Sequence, residues 1–111
     1  MNKRIAVLLS GRGSNFRSIL AASQSGALGG QVGVVISNRP GAGGLEIARE
    51  AAIQTALIDY QSYASREAFD ADLARLLESQ SPDLVVLAGF MRILTPGFVS
   101  RFAGRLMNIH P

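Results

Sequence analysis

Five short apolar runs punctuate the chain: Arg4 to Ser10 (RIAVLLS), Val32 to Ser37 (VGVVIS), Thr55 to Asp59 (TALID), Leu84 to Ala88 (LVVLA) and Leu106 to Ile109. They are short for helices, and the longer runs lack the polar alternation of a strand with one wet face. They therefore predict strands of a buried sheet. Between them the apolar residues recur at helical spacing. Phe16, Ile19 and Leu20 share one face of a helix predicted from Asn15 to Ser25, which Gly26 and Gly29-Gly30 stop. The loop 38–44 (NRPGAGG) precedes a short helix predicted from Leu45 to Ala52. Ser65 is a natural N-cap for a longer helix with Glu67 in its first turn. Phe69, Leu73, Leu76 and Leu77 make its buried stripe, and Arg66, Asp70, Asp72, Arg75 and Glu78 are expected on its solvated face. A last helix is predicted from Pro96 to Phe102, with the proline in its first turn.

The alternation β-α-β-α-β-α-β-α-β predicts an α/β fold: a doubly wound, mostly parallel, Rossmann-like sheet with right-handed crossovers and helices on both faces. Ligands of such sheets sit beyond the carboxyl ends of the strands, so the residues that follow each strand carry the functional signal. No internal repeat, low-complexity tract or linker interrupts the pattern, and residues 1–111 read as one domain or a piece of one.

Composition narrows the chemistry. The 111 residues, 48% of them hydrophobic, can bury one modest core. Cysteine is absent, which excludes disulfides and thiolate metal sites, and a single histidine excludes a polyhistidine site; no metal is expected. The apolar part of the first strand is too short for a signal-peptide core or a membrane span, so a cytoplasmic protein without a membrane partner is expected. A net charge of +3 raises the question of nucleic acid. The distribution answers it: Arg12, Arg17, Arg39, Arg49, Arg66, Arg75, Arg92, Arg101 and Arg105 are scattered, and only Lys3-Arg4 are adjacent. A small anionic ligand, or plain solvation, accounts for such a pattern better than a nucleic-acid partner.

Three segments at strand ends carry candidate chemistry. Gly11-Arg12-Gly13-Ser14-Asn15 starts like a dinucleotide fingerprint but has Phe16 where the third glycine would stand. The second strand ends Ser37-Asn38-Arg39, without the acidic residue that grips a ribose, so a nicotinamide cofactor is disfavoured. Two readings of the loop remain open: backbone N–H groups cradling one phosphate at a helix N-terminus, or a glycine turn capped by Ser14 or Asn15. After the fourth strand, Gly89-Phe90-Met91-Arg92-Ile93-Leu94 is either a surface for a flat aromatic ligand or simply core. In an extended fifth strand, Asn108 and His110 point to the same side, an amide donor beside a proton-transfer group, which suits acyl-group chemistry.

Taken together, these segments resemble the N-terminal half of the phosphoribosylglycinamide formyltransferase family over essentially the whole chain. The resemblance rests on Ser10-Gly11-Arg12-Gly13-Ser14-Asn15, on Ser37-Asn38, on Asp83 through Leu94 (DLVVLAGFMRIL) and on Asn108-Ile109-His110-Pro111, all in the family's order. It implies transfer of a formyl group from the co-substrate 10-formyltetrahydrofolate to the amine of glycinamide ribonucleotide in purine (IMP) biosynthesis. By the same resemblance Gly11, Arg12, Gly13, Ser14 and Asn15 hold the substrate phosphate, Met91, Arg92, Ile93 and Leu94 line the folate pocket, and Asn108 and His110 are catalytic. The family's third catalytic residue, an aspartate, lies downstream of Pro111.

Residues 1–111 are accordingly expected to be the nucleotide- and phosphate-binding half of a formyltransferase domain, poorly active alone. The fifth strand would leave an edge that pairs with a second copy or with a complementing C-terminal segment. Two other functions fit the same residues: a non-catalytic phosphate- or nucleotide-binding module, and a sibling formyl-handling enzyme such as methionyl-tRNA formyltransferase or formyltetrahydrofolate hydrolase. A transfer-RNA enzyme would call for a denser basic surface than these scattered arginines provide.

Overall fold

The computed structural model describes residues 3–11, 14–27, 29–90 and 94–109. Strand β1 (Lys3–Leu9) leads to helix α1 (Ser14–Gln24), β2 (Gly30–Ser37), α2 (Gly43–Glu50) and β3 (Gln54–Leu57). A single 3-10 turn (Tyr60–Ser62) then leads to α3 (Arg66–Gln80), β4 (Leu84–Ala88), α4 (Pro96–Arg101) and β5 (Leu106–Ile109). The sheet runs β3-β2-β1-β4-β5, and every neighbouring pair is parallel. Among the described residues no helix is long and apolar enough to cross a membrane.

The continuous apolar runs lie where a parallel sheet hides them on both faces. From Ile5 to Leu9 every residue of β1 is fully buried. Alternation then divides the side chains between two cores. Ile5, Val7 and Leu9 pack with Phe16 and Ile19 of α1 and with Leu45, Ile47 and Ala48 of α2. Ala6 and Leu8 pack with Phe69, Leu73 and Leu77 of α3 and with Phe98 of α4 and Phe102 just after it. Helices thus cover both faces, and the sheet is doubly wound. Among the described residues, the outer strands β3 and β5 have only four residues each and expose Leu57 and Met107.

Helix α3 corrects one expectation. Ser65 caps it as its sequence suggests, its hydroxyl accepting the Ala68 N–H at 3.1 Å. Asp70, however, is not on the solvated face; it is buried with Phe69, Leu73, Ala74 and Leu77. Positions 69, 70, 73, 74 and 77 form one helical stripe, and at 70 the sheet-facing stripe runs under the approach to α4. There a backbone N–H needs an acceptor: Asp70 Oδ2 takes the N–H of Thr95 at 2.6 Å. Leu76 is only partly buried against this core.

Candidate active site

The chain leaves β1 towards β2 on one side and returns through β4 on the other, so the switch of direction lies between β1 and β4. The segment after β1 begins with Ser10 and Gly11, and the segment after β4 begins with Gly89, whose φ of +69° suits the residue without a Cβ. These two strand ends flank the crevice in which doubly wound sheets bind ligands.

Ties to neighbouring strands fix the end of β1. Ser10 is buried, and its hydroxyl donates to Asn38 Oδ1 at 2.7 Å. Asn38 in turn donates its N–H to Leu9 O at 3.4 Å and accepts the Tyr60 N–H on its carbonyl at 3.1 Å. The tips of β1, β2 and β3 are thereby laced together by one side chain and its backbone. Gly11 is exposed, and its carbonyl accepts the N–H of Gly44 at 3.3 Å. Gly44 can come so near because it lacks a side chain: a Cβ there would stand 3.0 Å from one methyl of Leu9 and closer still to the other. Close packing of α2 on β1 thus sets the height of the glycine loop.

Beside that loop, on the β2 side, opens a cleft of about 370 Å³ lined by Ser10, Gly11, Arg39, Pro40, Tyr60 and neighbouring glycines. The sequence had singled out neither Arg39 nor Tyr60 as cleft residues. Their shared position after β2 and β3 is a property of strand order, which one sequence does not reveal. Arg39 is held by its backbone, since Ser37 Oγ donates to Arg39 O at 2.8 Å and accepts its N–H at 3.0 Å.

On the other side, Asn108 pairs in register with Leu87, which pairs with Leu8. These three residues form one row across β5, β4 and β1. At a strand spacing of about 4.8 Å, Asn108 stands roughly 10 Å across the sheet from β1. It is exposed, and alternation puts it on the side of Leu106 and Leu87, which face α3 and α4. Leu94 and Phe90 are half-buried and pack against that same core.

Of the other expected site residues, Ser14 and Asn15 form the first turn of α1, and their side chains lie outside the described residues. Arg12, Gly13, Met91, Arg92, Ile93 and His110 also lie outside the described residues. Of the expected site residues, Gly11, Ser14, Asn15, Leu94 and Asn108 are thus among the described ones; Gly11 follows the carboxyl end of β1, Ser14 and Asn15 open α1, Leu94 precedes α4, and Asn108 lies near the carboxyl end of β5.

A family model for formyl transferase matches residues 3–111. The phosphoribosylglycinamide formyltransferase of Escherichia coli (strain K12) is 50% identical over 107 residues, covering 96% of this chain and 50% of that protein. The trifunctional purine biosynthetic protein adenosine-3 of Drosophila melanogaster is 48% identical over 111 residues, covering 98% of this chain and 8% of that protein. Among solved structures, phosphoribosylglycinamide formyltransferase from Coxiella burnetii superposes with a TM-score of 0.94 at 43% identity, covering 100% of this chain and 52% of that one. The chain thus spans about half the length of the single-function relatives it matches. With its sequence matched over residues 3–111 and its sheet superposed on theirs, the chain belongs to the formyl transferase family.

Proposed function

We propose that this chain is the nucleotide- and phosphate-binding half of an enzyme that moves a formyl group from 10-formyltetrahydrofolate to the amine of glycinamide ribonucleotide, a step of purine synthesis. The observation that carries this reading is the row Leu8, Leu87, Asn108, which sets an exposed carboxamide beside the switch point formed by the ends of β1 and β4. In this reading Gly11, Arg12, Gly13, Ser14 and Asn15 receive the substrate phosphate at the α1 N-terminus, where free N–H groups and the helix dipole favour an anion. Met91, Arg92, Ile93 and Leu94 line the folate side. The similarity to relatives named for this activity supports the reading as a formyltransferase, apart from the residue roles.

The chemistry follows from what the two residues of β5 can do. The substrate amine attacks the formyl carbon, a new C–N bond forms, and the carbonyl oxygen takes up negative charge. Asn108 donates a carboxamide N–H to that oxygen. Collapse of the tetrahedral intermediate breaks the bond between the formyl carbon and the folate nitrogen. The proton lost by the attacking amine must reach that departing nitrogen, and His110 is the group to carry it. The family's aspartate, which orients the imidazole in this reading, would come from the downstream segment.

The test is complementation. The 111-residue chain is mixed with the C-terminal half of a relative, and formyl transfer to glycinamide ribonucleotide is measured. Transfer that appears only in the mixture, and falls on the order of 10²-fold or more with Asn108→Ala, is the expected result. Restored transfer that ignores Asn108→Ala and His110→Ala would refute the assigned roles.

A further inference from the structure

Among the described residues Asp70 is the only ionisable side chain in the buried class, with 4% of its surface exposed. It sits on α3, which supplies nothing to the site described above. One carboxylate oxygen accepts the Thr95 N–H at 2.6 Å, while the other is buried without a hydrogen-bond partner. Burying a carboxylate with an orphaned oxygen is costly. Capping of α4 does not explain it, because the Thr95 hydroxyl already accepts the Phe98 N–H at 3.2 Å. Nor does packing, since an apolar side chain would fill the same stripe beside Leu73 and Ala74 without desolvating a charge. What the carboxylate does is tie one backbone amide, at the end of the β4–α4 segment, to a helix 25 residues away in the chain.

We infer that Asp70 is a positioning residue: through Thr95 it holds the Leu94 end of the β4–α4 segment at a fixed place over the sheet, and so shapes the folate side of the site. Leu94 directly precedes the anchored amide and packs on the same α3 and α4 core. The inference rests on the reading of Leu94 as a folate contact. Asp70 itself touches no substrate; it acts through the backbone of Thr95.

The experiment compares Asp70→Ala and Asp70→Asn in the 111-residue chain, with amide hydrogen exchange and binding of two probes, a stable reduced folate and glycinamide ribonucleotide. Asn keeps one oxygen to accept the Thr95 N–H; Ala keeps none. Asp70→Ala is expected to speed exchange at Thr95 and Leu94 about tenfold or more and to weaken folate binding roughly ten- to a hundredfold, the scale of one charge-assisted hydrogen bond. It should leave ribonucleotide binding within about twofold and exchange at Leu73 and Leu77 unchanged, and Asp70→Asn should restore most of the folate affinity. Unaltered Thr95 exchange in Asp70→Ala overturns the anchoring. Equal loss of both probes together with protection at Leu73 and Leu77 shows a merely structural role and overturns the inference as well. Freed Thr95 exchange in a chain whose unsubstituted form binds the ribonucleotide but not the folate overturns the functional half, and traces the failure to the reading of Leu94. Should Asp70→Ala fail to fold, Thr95→Pro against Thr95→Ala makes the same comparison. Both lose the cap, but only proline deletes the anchored N–H, and the Thr95 φ of −70° accepts it. Folate affinity lower in Thr95→Pro than in Thr95→Ala supports the anchor, and equal affinity overturns it.

Discussion

Replacing Gly44 by alanine sets two physical effects against each other, and the packing of α2 on β1 decides the sign. Within a helix, alanine is favoured over glycine by up to about 1 kcal/mol, because glycine loses more backbone entropy on folding. Against this, the new methyl would stand 3.0 Å from one methyl of Leu9 and nearer to the other, and Leu9 is fully buried between strands and helices. Leu9 cannot swing into solvent; it must push into Phe16, Leu45 or the strand beside it. Overpacking of this kind costs about 1–3 kcal/mol, so a net loss of roughly 1–2 kcal/mol is expected for Gly44→Ala. Urea unfolding measures it, with Gly97→Ala as control. Gly97 is also in the first turn of a helix, but a Cβ there meets nothing within 4 Å, so that variant should be unchanged or slightly more stable. Because Gly44 donates its N–H to Gly11 O, Gly44→Ala should also weaken ribonucleotide binding while Gly97→Ala does not. A Gly44→Ala chain as stable as Gly97→Ala, with undiminished ligand affinity, would refute the claim that this close approach sets the glycine loop.

Ser10→Ala removes the buried donor to Asn38 Oδ1 and should cost about 1–3 kcal/mol in urea unfolding; an effect within error would show that the strand tips are not held by this bond. Tyr63 and Asp72 give a pH signature. The Tyr63 hydroxyl donates to Asp72 Oδ2 at 2.8 Å; this lowers the carboxyl below its ordinary 3.8, with help from Arg75, and raises the phenol above its ordinary 10.0, against the opposing pull of Arg75. The lowered carboxyl contributes stability that is present above its ordinary value and lost as pH falls through its folded one. The raised phenol contributes stability that is present below its ordinary value and lost as pH rises through its folded one. The stability difference between the unsubstituted chain and Tyr63→Phe should therefore be flat between about pH 5 and 9 and shrink at both extremes; a difference that grows towards acid would contradict the assignment.

Much of this fold was legible because apolar runs and helix signals agreed. The strands Leu84–Ala88 and Leu106–Ile109 have the bounds their sequences suggest, and Ser65 caps α3 and Pro96 opens α4 as predicted. Differences arise where one residue serves a neighbour that the local pattern does not contain. Gly43 and Gly44 read as loop, yet they begin α2, and the missing side chain of Gly44 lets the helix lie on Leu9. The third strand stops at Leu57, short of Asp59, whose carboxylate accepts the Gln61 N–H at 3.0 Å and starts the 3-10 turn. Asp70 reads as solvated because charged residues seldom go inside; the amide that draws it in lies 25 residues on. For the site, strand-end chemistry pointed to Gly11, Leu94 and Asn108, and the strand order brings their segments to one end of the sheet. It could not reveal the Ser10–Asn38 tie or the Arg39–Tyr60 cleft, both of which depend on which strands become neighbours.

In the proposed function, substrate binds across the carboxyl ends of β1, β4 and β5. A titration of glycinamide ribonucleotide into the isotopically labelled chain, followed by amide and side-chain NMR shifts, tests it directly. The largest changes are expected at Gly11, Ser14, Phe16 and Gly89 and at the carboxamide of Asn108. Changes confined to Lys3, Gln31 and Gly33 at the opposite end of the sheet, or to the cleft of Arg39 and Tyr60 with Asn108 unmoved, would contradict it.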